Sequence, residues 1–386
     1  MTMMMRESIA PYGLAPAYAQ PLRLPRRGSA PRRSLRALAL APVARADGAF
    51  VLPTHPVHNA LRRGLLIVSN EYEERVRVRV HGHVREVRVH TRMPAESAAP
   101  VKGANLLKSH LDLVDQAYRR SEEPEGFVYD MADALTRLGY KRLAGGGFHG
   151  DTVKEHLRRL QALASQGVAV GDASSATPVW RFVVVDRAGG VRPLESAADW
   201  ATVKASDRLL VLPGGWWDAI ELPRYRLAVP RTLLSLPLDG QGNQVNRVAL
   251  QLAAELAVWE RAEMRQGPHR MQRRVGVLLE RAMVAEKATL VADAARRLNT
   301  PKRLREYLAG DGFPDQGALA VLRELGRFDV DIADEAAFWA AGRGWVERFW
   351  DARLTIGVRA MNDRPLASFP TPTGELADTH WRVGAR

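Results

Sequence analysis

The sequence predicts an α+β protein made of two tandem modules, each a group of helices closed by β-strands, behind a disordered basic N-terminal arm. Three observations lead there. The chain has 386 residues, 46% of them hydrophobic, enough for two or three cores at roughly 100–200 residues per domain. Residues 1–50 hold eight arginines, no lysine and only Glu7 and Asp47 as acids, among scattered prolines; such a stretch lacks the apolar periodicity to bury a core. Beyond them, helix-period apolar patterns give way to strand-period ones, and the same succession recurs in the second half.

The elements follow in order. From Arg75, RVRVRVHGHVREVRVH alternates valine with arginine, the mark of strands with one apolar face, and His81-Gly82 sits where a hairpin turn belongs. The parity breaks between Val84 and Val87, which predicts a bulge or a shifted register. A helix over 104–119 comes next, with Leu106, Leu107, Leu111, Val114 and Tyr118 as its apolar positions, then a second over 129–138. After a glycine-rich turn a third helix spans 152–165, and its Thr152 and Glu155 fit a T-x-x-E capping box. Strands at 167–170 and 179–185 flank the turn-forming GDASSATP. Three helices and a two-stranded hairpin are the order of a winged helix-turn-helix, so residues 51–190 read as the hairpin plus a first winged-helix domain.

Residues 191–227 read as a connector, in which Gly214-Gly215-Trp216-Trp217 is expected to be a packed strand and not a base-stacking platform. Residues 228–360 repeat the plan as a second winged-helix domain. Helices are predicted at 244–264, 273–283 and 287–309, the last split where Thr300 would cap and Pro301 take the first helical position. A helix from Asp315 to Arg327, a tryptophan-containing stretch and the strand RLTIGV complete it, and 361–386 are a C-terminal tail.

Fifty-six Lys and Arg against 43 Asp and Glu give a formal net charge of +13. That excess makes nucleic acid the expected partner, ahead of an anionic membrane surface. No run approaches the roughly 18 apolar residues that span a bilayer, so no membrane partner and a cytoplasmic location are expected. The stretch RRSLRALALAPVARA at 32–46 has the outline of a signal peptide, but Arg36 interrupts its apolar run, which argues against secretion.

Enzyme chemistry finds little support. Without cysteine there is no disulfide, thiolate zinc site, iron–sulfur cluster or cysteine nucleophile. The ten histidines lack metal-ligand spacing, and no cofactor is expected. The run Gly145-Gly146-Gly147-Phe148-His149-Gly150-Asp151-Thr152 matches a phosphate-binding loop except that Asp151 replaces the lysine. A carboxylate there repels the phosphate that the loop would cradle. No G-x-S-x-G motif or paired-carboxylate constellation occurs, so the chain is expected not to be an enzyme.

The DNA-contacting residues are then expected on the third helix of each module. In the first, Val153, Leu157, Leu160 and Ala164 are expected to be buried, turning Glu155, Arg158, Arg159 and Ala162 outward with Lys154 on the flank. Arg181 lies on the following wing strand. In the second module the helix from Asp315 buries Leu319, Leu322 and Leu325 and exposes Gln316, Arg323 and Arg327, while Lys302, Arg303 and Arg305 form a candidate phosphate clamp before it. Arginine can hold guanine bidentately and lysine can neutralise phosphate.

Taken together, KGANLLKSHLDLVDQAY, YDMADALTRLGY and TVKEHLRRLQAL, then RRVGVLLERA, GALAVLRELGRFDV and WDARLTIGV, resemble plasmid replication initiator proteins of two winged-helix domains over residues 57–358. The resemblance implies double-stranded DNA with repeated origin sites as the partner, duplex opening and recruitment of host helicase or initiator proteins, without catalysis; a homodimer is a further expected partner. The alternative on the same motifs is a winged-helix transcriptional regulator.

Overall fold

The computed structural model describes residues 48–67, 71–80, 83–93, 103–119, 126–171, 176–185, 190–204, 206–220, 226–239, 243–263, 271–310 and 316–358. The arm up to residue 47 and the tail 361–386 lie outside them. The last residues assigned to the arm belong to strand β1 (Ala49–Pro53), which pairs antiparallel with β10 (Arg226–Pro230) and buries Phe50 and Leu52. Two apolar side chains at period 2, sealed by a partner strand from far along the chain, are enough to order it.

Helix α1 (Pro56–Leu66) starts on a proline, with His55 Nδ1 accepting from the Val57 amide at 3.3 Å. It covers one face of the hairpin of β2 (Glu71–Val80) and β3 (His83–Arg92), where Val76, Val78 and Val89 are buried. The register runs unbroken from Glu71↔Arg92 to Val80↔His83. The expected bulge is therefore absent: Val84 simply points to the outer face, 62% exposed, and the alternation changes face without changing register. β5 (Gly167–Val170) extends this sheet beside β3, and β6 (Thr177–Pro178) beside β5.

A second sheet has the order β4-β9-β7-β8, from β4 (Phe127–Asp130), β9 (Arg208–Pro213), β7 (Trp180–Val185) and β8 (Val191–Pro193). The strands expected to pair across GDASSATP as a wing, 167–170 and 179–185, thus part into different sheets. The reason lies in β7, which buries every residue except Arg181. A strand apolar on both faces needs neighbours on both edges and cover on both sides, and β9, inside the stretch expected to be a connector, supplies one of those edges. The Gly-Gly-Trp-Trp segment is a turn and not a strand. Its Trp216 is fully buried and donates from Nε1 to the Val179 carbonyl at 2.7 Å. A Cβ on Gly214 would lie 1.9 Å from the Pro178 oxygen, so only glycine fits.

The first unit's helices are α2 (Ala104–Arg119), α3 (Met131–Arg137), α4 (Gly150–Ser165) and the short α5 (Ala197–Ala201). After α6 (Thr232–Ser235), the second unit runs α7 (Gln244–Glu263), β11 (Met271–Arg274), α8 (Val275–Arg281), α9 (Lys287–Ala295), α10 (Thr300–Ala309), α11 (Ala318–Glu324), β12 (Phe328–Ile332), α12 (Glu335–Phe338), α13 (Trp345–Asp351) and β13 (Arg353–Val358). Its sheet order, β11-β13-β12, matches β4-β9-β7: the first strand follows the long helix, and the last strand inserts between the other two.

The two units share α2. Its Leu106, Leu113 and Val114 enter one core, while Ala104, Leu107 and Leu111 enter the other. Buried on both sides, the helix can keep polar residues only by pairing them. Lys108 Nζ donates to the Leu138 and Leu236 carbonyls, both at 2.7 Å. Asp112 accepts from Nε and Nη2 of Arg137, each at 2.9 Å. Asp115 accepts from the Val51 amide at 2.8 Å and pairs with Arg119 and Arg231. Among the described residues no helix is long and apolar enough to cross a membrane.

Candidate nucleic-acid interface

Helix α4 starts two residues before the expected capping box. His149 is its N-cap, with Nδ1 accepting from the Asp151 amide at 3.3 Å, so Thr152 lies within the first turn. The glycines before it form an exposed turn that follows a helix, with Arg142 stacked 5.3 Å from the Phe148 ring.

The buried face of α4 is His156, Arg159, Leu160, Ala162 and Leu163, rotated from the expected one, and Asp151, Lys154 and Arg158 point outward. Lys154 and Arg158 therefore stand where the sequence put them, and Glu155 is half-exposed, 3.5 Å from Arg158 and 3.6 Å from Arg159. Arg159 is the correction. It is 1% exposed and reaches inward to the Tyr140 hydroxyl and to Asp239 Oδ1 at 2.7 Å. Asp239 also accepts from Asn105 Nδ2 and the Tyr140 hydroxyl, each at 2.9 Å. Arg159 thus ties α4 to the segment entering α7, a partner the helical period could not reveal. Arg181 is exposed on β7, opposite Leu212.

In the second unit the expected exposed helix is α11, and it is core. Ala318 to Leu322 are all buried, because five consecutive apolar residues leave no polar face. Gln316, just before it, is exposed, but Arg323 is half-buried beside Asp331 at 3.9 Å and Arg327 is 5% exposed. The exposed cationic helix is α10, carrying Lys302 and Arg303, with Lys302 3.3 Å from Glu306. Arg305 leaves the expected clamp: its guanidinium lies 5.4 Å from the Trp339 ring and 4.5 Å from the Trp345 ring, and it donates to the Ala340 carbonyl at 2.9 Å. That geometry braces the α12–α13 segment.

Two basic residues absent from the sequence reading, Arg296 and Arg297, are exposed in the turn between α9 and α10. The Leu298 amide bonds the Asp293 carbonyl at 2.9 Å and the Arg297 amide that of Ala294 at 3.0 Å, closing α9 in a Schellman motif. Arg297 takes the left-handed position, φ 58°, where glycine is usual. The sequence signal was the break at Leu298-Asn299-Thr300-Pro301, which separates α9 from α10. Arg297→Gly is expected to raise unfolding stability by about 0.5–1 kcal/mol, the relief of left-handed strain less the added chain entropy. A urea midpoint at or below the parent's would contradict that.

The N-terminal end of α10 borders a cleft of about 790 Å³ between the ends of α2 and α7, lined by Arg247, Gln251, Arg303 and Tyr307 and by no acidic side chain.

Neither a protein-family model nor a curated protein matches the sequence. Among solved structures the chain is similar to domain 2 and domain 3 of RctB, at 12% identity and a TM-score of 0.40, over 78% of this chain and 96% of that one.

Proposed function

We propose that this protein binds double-stranded DNA through two winged-helix units, with α4 and α10 as the groove-facing helices, and acts without catalysis as a replication initiator at repeated sites in the cytoplasm. One observation carries the reading. Two units with the same strand order each turn a helix with adjacent exposed cations outward, Lys154 and Arg158 on α4 and Lys302 and Arg303 on α10. A helix of that kind fits the major groove, where guanidinium and ammonium groups meet base edges and phosphates. The +13 charge supplies the sequence-independent part of the attraction. Arg181 and Gln316, both exposed, are candidate flanking contacts.

The test is footprinting on fragments that the purified protein retains from random DNA. Lys154→Ala and Arg158→Ala are each expected to cost about 1–3 kcal/mol at the selected site and to relax choice at one or two base pairs where the side chain reaches a base. Lys302→Ala and Arg303→Ala are expected to act on a separate patch about ten base pairs away. Arg159→Ala should instead lower the melting temperature. Retained fragments with an array of repeats support initiation; a single palindrome, or four variants that all act on one patch, contradicts the two-headed initiator.

A further inference from the structure

The β2–β3 hairpin packs Val76, Val78 and Val89 into the first unit's core, and its charges are unevenly paired. Near its base the outer face carries a ladder: Arg92 to Glu71 at 3.1 Å, Arg88 to Glu73, and Arg75 to Glu86 at 3.5 Å. On the inner face Glu74 takes Arg63. Beyond that ladder the sequence from Val76 to Arg85 holds three arginines and two histidines and no acid. Arg77, whose register partner is Glu86, and Arg85, opposite Val78, are exposed and make no ion pair among the described residues, and Val84 is 62% exposed.

The finger is also held in place relative to α4. One residue, the buried Gln166, separates α4 from β5, and β5 pairs with the base of the hairpin from Arg92↔Gly167 to Val89↔Val170. α1 covers Val76 and Val78 on the inner face, Arg77 and Val84 lie on the outer face, and Arg85, opposite Val78 on the inner face, is exposed all the same.

We propose that Arg77, Val84 and Arg85 make this hairpin a cationic finger that grips the sugar-phosphate backbone of duplex DNA next to the stretch met by α4. Guanidinium groups on a rigid ribbon hold phosphate oxygens bidentately. An exposed valine among them suits the apolar faces of the sugars. Charged residues on an outer strand such as β2 also discourage edge-to-edge association. That role alone does not require acids at the base and none toward the tip.

The inference rests on the DNA-binding reading above, so its test includes the α4 variant. The full-length Arg77→Ala/Arg85→Ala protein is compared with the parent and with Lys154→Ala/Arg158→Ala, on the selected fragment and on a random duplex, from 50 to 200 mM salt. The finger variant is expected to lose on the order of tenfold affinity on both DNAs, with a log–log salt slope shallower by about 1.8, two phosphates' worth. Since the chain has no cysteine, Val84→Cys carrying an iron–EDTA tether gives an independent readout: strand cleavage beside the α4 footprint. An unchanged slope with no tethered cleavage, while the α4 variant still weakens binding, overturns the finger and leaves α4 standing. A loss confined to the selected fragment overturns backbone gripping in favour of base contact. If the parent retains no duplex, both proposals fall.

Discussion

Mild acid is expected to unfold this protein, with stability falling steeply from about pH 6.5 downward, because three histidines are buried in the neutral form. Trp180 Nε1 can only donate, so His110 Nδ1 accepts from it at 3.0 Å. His110 Nε2 then carries the proton and donates to His58 Nε2 at 3.1 Å. Both rings are fully buried against Trp216. Burial holds His110 down to about 3; burial, then His110 and Arg62, hold His58 well below its usual value. His156, 3.1 Å from the Tyr129 hydroxyl, is held to about 3 by burial and by Arg159.

Histidines with folded values below their unfolded value near 6.5 contribute stability that is fully present above 6.5 and lost as the pH falls from there toward 3. His110 and His156 each cost about 1.4 kcal/mol per pH unit in that window, or about 2 kcal/mol at pH 5. The two together reach about 4 kcal/mol and His58 acts in the same direction, against a whole domain's stability of about 5–15 kcal/mol. Two other buried groups act elsewhere. Burial, against the attraction of Asp239, lowers Lys108 to about 7, so its effect falls at alkaline pH. Burial raises Asp112, Arg137 and Arg231 outweigh it, and the net depression acts below the usual carboxylate range. Urea midpoints followed by circular dichroism from pH 7.5 to 5 check this. A flat profile would falsify it, and His110→Gln, which keeps an acceptor for Trp180, should flatten it in part.

Glu255→Ala is expected to cost about 3–5 kcal/mol and to uncouple the two units. Arg62 on α1 and Glu255 on α7 form an ion pair with both side chains essentially inaccessible, and Arg63 stands 3.7 Å from the same carboxylate. Removing the carboxylate leaves an inaccessible guanidinium without its ion-pair partner, a far larger penalty than the pair's own net worth. Arg63 keeps Glu74 as its partner. The double variant Arg62→Met/Glu255→Leu, which removes both charges at similar volume, should recover most of the loss. Calorimetry separates the outcomes: two transitions in Glu255→Ala and one in the double variant are expected. A single variant within about 1 kcal/mol of the parent would show that the pair is not buried in solution.

The interunit pairing explains why the units are hard to separate on paper. The period of α2 announces an amphipathic helix, and its bounds are as the sequence predicts, 104–119. Yet Lys108, Asp112 and Asp115, beside that apolar stripe, are all buried, and so is His110 on the stripe itself. Each finds its partner on an element distant in sequence, and no local pattern encodes which.

What the sequence by itself determined was element type and local order. The hairpin strands on either side of His81-Gly82, helices α2, α4 and α7 to within two residues, the break at Thr300-Pro301 and the strand 353–358 all follow from side-chain period and from turn and cap chemistry, which act over a few residues. Lys154, Arg158, Lys302 and Arg303 were legible as exposed cations for the same reason. Tertiary structure alone decided strand partners and helix rotation. It sent 167–170 to the hairpin sheet and brought 208–213 out of a supposed connector to the middle of another. It turned Arg159 inward onto Asp239, folded Arg305 onto two tryptophans and buried α11. An arginine's helical position fixes only the direction of its Cβ. Its long stem can carry the guanidinium into water or into the protein, and the choice depends on whether the fold places a carboxylate, a carbonyl or an aromatic face within reach.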